Sequence, residues 1–150
     1  MTLPSSLAYI YTMKNISSMN EAATSTVHTI LLIEKHNNIP ESVIHSLGRN
    51  DLNFIITGTM QEGIQACKEH SEMAMIIMPM DLAMLNGVGT VDQIRNILPE
   101  VPVIFLSNYL TIESIRLATL MECDEIIQNP VDRTTLNAVI MKHIKQSKQF

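Results

Sequence analysis

From residue 28 onward the chain alternates between two kinds of apolar pattern. "HTILLIE" (28–34) is a continuous apolar run of the kind that a parallel strand buried on both faces produces. "NIPESVIHSLGRN" then spaces Val43, Ile44 and Leu47 at i, i+1 and i+4, with Pro40 suited to a first helical turn and Gly48 to a stop, which predicts a short amphipathic helix. The alternation repeats with "LNFIITG" as strand, "MQEGIQACKEHS" as helix, "MAMIIM" as strand and "GVGTVDQIRNIL" as helix. It finishes with "VPVIFLS" as strand, "TIESIRLATLM" as helix, "DEIIQ" as strand and "DRTTLNAVIMKHIKQ" as helix. Five strands thus alternate with five helices. Short loops between unlike elements cannot close hairpins, so each helix carries the chain back across a parallel sheet in a right-handed crossover. The predicted fold class is α/β, a doubly wound five-stranded parallel sheet, whose site belongs beyond the carboxyl ends of the strands. That rule selects Glu34, Lys35 and His36 after the first strand, Met78 to Leu85 after the third, Ser107 and Asn108 after the fourth, and Asn129 and Pro130 after the fifth.

Residues 1–26 are rich in Ser, Thr, Asn and Met and show no sustained period, which predicts a flexible N-terminal tail ahead of a domain over 27–150. Composition agrees with one domain, because 150 residues with 46% hydrophobic and 17% charged residues suit a single core. A formal net charge of −5 with only ten Lys plus Arg argues against nucleic acid as a partner, since phosphate binding needs clustered cations. Cys67 and Cys123 have no metal-ligand or CxxC spacing and read as core residues of a reducing compartment. The longest apolar run, "MAMIIMPM", is far short of the roughly 20 residues that span a bilayer. "LAYIYTM" has no positive charge before it, which argues against a signal peptide, so the cytoplasm is the expected location and no membrane insertion is expected.

Three segments carry a family resemblance. "VPVIFLSN", "CDEIIQNPVD" (123–132) and "LNGVGTVDQIRNILPEVP" resemble, in order and spacing, the fourth strand, the fifth strand with its exit loop, and the third helix of the receiver domain of bacterial two-component response regulators. The resemblance covers about residues 28–148 and implies the CheY-like, flavodoxin-like (βα)5 fold with strand order 2-1-3-4-5. It also implies a chemistry: an acyl phosphate on an Asp after the third strand, aided by Mg²⁺ on two acids after the first, a Thr or Ser after the fourth and a Lys after the fifth. Carried onto this chain, the acid pair falls on Glu34 and Lys35, so one acid has become a cation that competes with Mg²⁺. The acceptor falls on Pro79, or on Met78 if the loop holds one residue more, and neither can be phosphorylated. The Lys falls on Asn129, with Pro130 placed for the cis peptide of the family, and Ser107 alone keeps its role. Asp81 is two residues further on, about 6.6 Å along a strand, and reads better as a loop acid or helix-side cap than as a displaced acceptor.

The family's switch aromatic falls on Ile126. The partner-binding face implied by the resemblance carries Leu110, Ile115 and Ile126, an apolar patch if exposed, although Ile115 also fits a core period with Ala118 and Met121. Eleven methionines read as soft core filler. The five histidines have no ligand spacing, and His36 reads as a loop residue. Gly87 and Gly89 do not form a dinucleotide loop, because Asp92 stands where the third Gly is needed. Lys142, Lys145 and Lys148 suit the carboxyl end of a helix dipole. The expected function is a non-enzymatic, phosphorylation-independent, receiver-like protein-interaction module in bacterial signal transduction, with no cofactor. Its partner is a histidine kinase, an output or scaffold protein, or a second copy. Two alternatives stay open: a small-molecule-sensing pseudo-receiver, and an atypical regulator phosphorylated at a non-standard site. The chain ends with the last helix, so an output domain is not expected within it.

Overall fold

The structure is a computed structural model that describes residues 9–12, 27–34, 39–85 and 89–147, with side chains described over 27–34, 39–85 and 89–144. Five parallel strands form its centre: β2 (His28–Ile33), β3 (Leu52–Thr57), β4 (Met73–Pro79), β5 (Val103–Ser107) and β6 (Glu125–Gln128). Their spatial order is β3-β2-β4-β5-β6, which is the predicted 2-1-3-4-5. A further strand, β1 (Tyr9–Thr12), pairs antiparallel with the outer edge of β3, Tyr9 opposite Ile56 and Thr12 opposite Asn53. The reading of residues 1–26 as tail therefore does not extend to these four. "YIYT" is β-prone by residue type, but it is too short for a period to register.

The helices are α1 (Glu41–Ser46), α2 (Met60–Glu69), α3 (Met80–Leu85), α4 (Thr90–Ile97), α5 (Ile112–Leu120) and α6 (Arg133–Ser147). Alternate strand residues serve opposite faces. Ile30, Leu32, Met75, Ile77, Ile104 and Leu106 pack with Ile44 of α1 and Leu136, Val139 and Ile140 of α6. Leu31, Ile33, Ile76, Met78, Val103 and Phe105 pack with Cys67 of α2, Ala83 of α3, Val91 and Ile94 of α4 and Ala118 of α5. Both faces of the sheet are thus covered, as the unbroken apolar runs require.

Local signals fix the ends of these elements. Gly48 turns the chain out of α1 with φ +61. Thr59 Oγ1 accepts from Glu62 N at 3.1 Å, and Asp132 Oδ1 accepts from Thr135 N at 2.8 Å, each satisfying an N-terminal donor. Thr111 and Ser114 form a reciprocal capping box at α5.

Helix α3 corrects the expectation of an acidic loop after the third strand. Met80 and Ala83, at i and i+3, are buried, and Thr90 Oγ1 donates to Ala83 O at 3.2 Å, tying α3 to α4. Asp81 therefore stands in a first helical turn instead of on a strand extension. Asn86, Gly87 and Val88 lie outside the described residues, as do Lys35 and His36, so the readings made of Gly87, Lys35 and His36 lie outside them too. The side chains of Lys145 and Lys148 also lie outside them; Lys142 Nζ stands 3.4 Å from Glu125 Oε1. Among the described residues no helix is long and apolar enough to cross a membrane.

Helix α2 sits close to the sheet because Gly63 has no side chain: a Cβ there would overlap Ile33, lying 2.8 Å from its Cγ1. Ile33 is fully buried and β-branched, so it has little room to yield. Gly63→Ala is expected to destabilise by about 1–2 kcal/mol, the overpacking exceeding Ala's roughly 1 kcal/mol helix-propensity advantage. Urea denaturation of the two proteins checks this, and an unchanged or higher midpoint overturns it.

Burial pushes the Cys67 thiol up to about 11, and burial followed by the Asp124 carboxylate does the same to Cys123. Below the ordinary value of 9.0 both folded and unfolded chains keep these protons. Between about 9 and 11 only the unfolded chain ionises, so stability present below pH 9 is lost as pH rises. For the buried Cys67 the loss is about 2–3 kcal/mol. Cys67→Ala should flatten the alkaline slope of stability in denaturation series at successive pH values.

Candidate functional site

The register of the parallel strands decides which residues meet at the carboxyl edge. Pro79 is opposite Leu106, and Ser107 is opposite Gln128, so β4, β5 and β6 end side by side. The ladder between β2 and β4 ends at Ile77, and Pro79 lies beyond it, where a residue without an N–H is tolerated. From this edge α3 rises on one side and the β5–α5 connection on the other. Between them lies a cleft of about 700 Å³.

Three of the six positions onto which the resemblance carries the phosphorylation site come together in its lining: Pro79, Ser107 and Asn129. Ser107 Oγ donates to Tyr109 O at 2.7 Å and accepts from Tyr109 N at 3.3 Å, so its hydroxyl shapes its own loop. Asn129 N donates to Ser107 O at 2.8 Å, and Asn129 Nδ2 donates to Asn108 Oδ1 at 3.0 Å, stitching the loops after β5 and β6 together. Gln128 Nε2 adds a bond to Asn108 O at 3.3 Å. The Asn129–Pro130 peptide is cis. Asn129 Oδ1 is buried without a hydrogen-bond partner, one acceptor left unanswered behind the lining.

Among the described residues, the remaining site positions do not join this group. Met78 is fully buried, facing the α2–α5 side of the sheet, so of the two candidate acceptor positions only Pro79 reaches the cleft. Glu34 is buried, and its Oε1 accepts from Ile39 N at 2.6 Å across the β2–α1 connection. Lys35 lies outside the described residues. The carboxylates in the lining are Asp81, from α3, and Glu113, from the first turn of α5. Sequence reasoning weighed Asp81 as a displaced acceptor but missed Glu113, because nothing in a helical pattern reveals which loop it will face.

These residues do not fit the Mg²⁺ that the resemblance implies. That ion demands near-octahedral hard oxygens, usually one or two carboxylates and several waters. Here Pro79 supplies no oxygen at the side chain where the family has its acceptor, Glu34 is engaged with a backbone amide, and the third position is a lysine by sequence. Among the described residues no group of three or more His, Cys, Asp or Glu could hold a metal ion.

Apolar exposure concentrates beside the cleft. Leu110 is 43% and Ile115 47% exposed, so Ile115 stands at the surface. Ile126 instead is half-buried and packs on the core, opposite Phe105. The exposed group is larger than sequence suggested: Ile112 is 77% and Leu85 82% exposed, joined by Tyr109, Met84 and Leu120. Helix α5 carries apolar residues around most of its circumference, a pattern that its sequence already displays and that a half-buried helix does not need.

The response regulator receiver domain profile matches residues 30–141. No curated protein matches the chain. A response regulator from Thermotoga maritima superposes with a TM-score of 0.69 at 17% identity, over 79% of this chain and 98% of that one. The receiver domain of the Saccharomyces cerevisiae response regulator Ssk1, co-crystallised with the histidine phosphotransfer signalling protein Ypd1, gives 0.69 at 21% identity, over 84% and 94%. A putative pilus assembly protein from Burkholderia thailandensis gives 0.64 at 10% identity, over 81% and 100%. At such identities the superpositions speak to the fold, whereas the profile spans most of the sequence; the chain belongs to the response regulator receiver domain family of signal-transduction proteins.

Proposed function

We propose that this receiver domain works without phosphorylation, as a non-enzymatic module that binds another signalling protein through the exposed apolar face of α5 and the loop before it. The observation that carries the reading is the pairing of Pro79 with the position of the acceptor, inside a cleft whose other selected residues are occupied with holding loops. Loss of a single preorganised charge stabiliser typically costs about 3–4 kcal/mol of barrier. Here the nucleophile is replaced as well, and Asn129 stands where the cation belongs.

The same edge offers binding in place of chemistry. Ile112 and Ile115 lie at i and i+3 on one side of α5, flanked by Tyr109 and Leu110. Burying an aliphatic side chain of this size against a partner stabilises by about 1.5–3 kcal/mol. The partner chemistry is therefore an apolar patch on a histidine kinase, an output or scaffold protein, or on a second copy of this chain, in the bacterial cytoplasm. The yeast receiver crystallised with its phosphotransfer protein supports the general idea that this fold docks signalling partners.

Two measurements test the reading. Incubation with acetyl phosphate and Mg²⁺ should leave the intact mass unchanged, and a phosphoryl adduct on the folded protein would overturn phosphorylation independence. Ile112→Asp and Ile115→Asp should each weaken association about tenfold or more while leaving the circular dichroism spectrum intact. Sedimentation reads association with a second copy, and co-purification from the native host reads other partners. If both variants associate as the parent does, this face is not the interface.

A further inference from the structure

The cleft between α3 and α5 has a chemical character of its own, independent of the protein-interaction reading. Its volume of about 700 Å³ falls within the range of small-molecule sites. Met80, Leu82, Met84, Leu85, Leu106 and Leu117 give it apolar walls. Its charged lining residues, among the described residues, are Asp81 and Glu113, and neither makes an ion pair with another described residue.

The hydrogen-bonding groups lean the same way. The hydroxyls of Ser107 and Ser114 already donate to Tyr109 O, and Asn129 Nδ2 donates to Asn108. These donors are thus engaged within the loops, whereas the carboxylates of Asp81 and Glu113 face the cleft as acceptors. Each carboxylate stands in the first turn of its helix. A helix N-terminus contributes only about half a positive charge, and at α5 the Thr111–Ser114 capping box already occupies two of its donors. A negative charge therefore remains over apolar walls, the reverse of what a phosphoryl group requires.

We propose that this cleft binds a small organic amine: a cation on an apolar stem, with the stem against the Met and Leu walls and the ammonium between Asp81 and Glu113. An ammonium brings three donors and no acceptor, which matches the two carboxylates of the lining. A free carboxylate or phosphate of equal size meets like charge and few donors.

A charge series on one stem tests this with the full chain: 4-phenylbutylamine, 4-phenylbutanol and 4-phenylbutyrate, followed by amide chemical shifts and calorimetry. The amine should bind at least tenfold tighter than the butyrate, with the alcohol between, and its shifts should map to residues 79–85 and 106–117. Asp81→Asn and Glu113→Gln should each weaken the amine about threefold to tenfold and leave the alcohol unchanged, which a merely structural role of these residues would not do. Equal or tighter binding of the butyrate overturns the proposal. So does amine binding that the double variant leaves unchanged, or shifts that map elsewhere. A short lysine-leucine peptide is the final arm: if it shifts the cleft residues and the amine does not, the cleft belongs to a protein partner and the small-ligand assignment fails. Loss of the α5 interface in Ile112→Asp does not bear on any of these readouts.

Discussion

Everything in this domain depends on the burial of β2 and β4 from both sides. Thr29 through Ile33 are all buried, as are Met75 through Pro79, so neither strand has a face to offer water. A strand so placed must be apolar at every position and must be covered by helices above and below. Those helices cover it only if the connections run from one strand end back to the other, which makes the strands parallel and brings their carboxyl ends to one edge. The cleft is a by-product of that geometry. It opens where α3 and α5 leave the edge in different directions, over strands that the core holds in fixed register.

This dependence explains what could be read in advance. Apolar runs identified the five central strands, and Gly48 marked the end of the first helix between them. Pro79, Ser107 and Asn129 line one cleft because Pro79 and Ser107 end β4 and β5 and Asn129 directly follows β6, where register leaves little freedom. What escaped was short or oriented by contact alone. Helix α3 has six residues and rests on two of them, Met80 and Ala83, so no period can emerge from its sequence. Strand β1 exists through its pairing with β3, a long-range bond that local pattern does not encode. Ile115 and Ile126 look alike in sequence, yet one faces outward and the other leans on Phe105, because the difference lies in the rotation of α5 and the edge position of β6.

The loops at the site show how a scaffold can outlast the chemistry built on it. Ser107, Asn108 and Asn129 bond to one another and to Tyr109 in an arrangement that needs no ligand to complete it, apart from a single buried acceptor. Arg95 reaches from α4 to Asp124 at 2.6 Å, and the same carboxylate oxygen accepts from Val103 N at 2.8 Å, fixing the other end of β5. A rigid edge of this kind keeps the surface of α5 in one place. Binding surfaces gain from such preorganisation, since less freedom is lost when a partner arrives.

The short strand β1 changes what the sheet can do with its neighbours. Without it the six-residue β3 would form the edge of the sheet, whereas β1 covers β3 and is itself the edge. Among the described strands this leaves β6, four residues long, as the other terminus. Both terminal strands are thus four residues long, and so short an edge offers few backbone groups to a neighbouring copy, which blunts strand-to-strand growth of the sheet from either side.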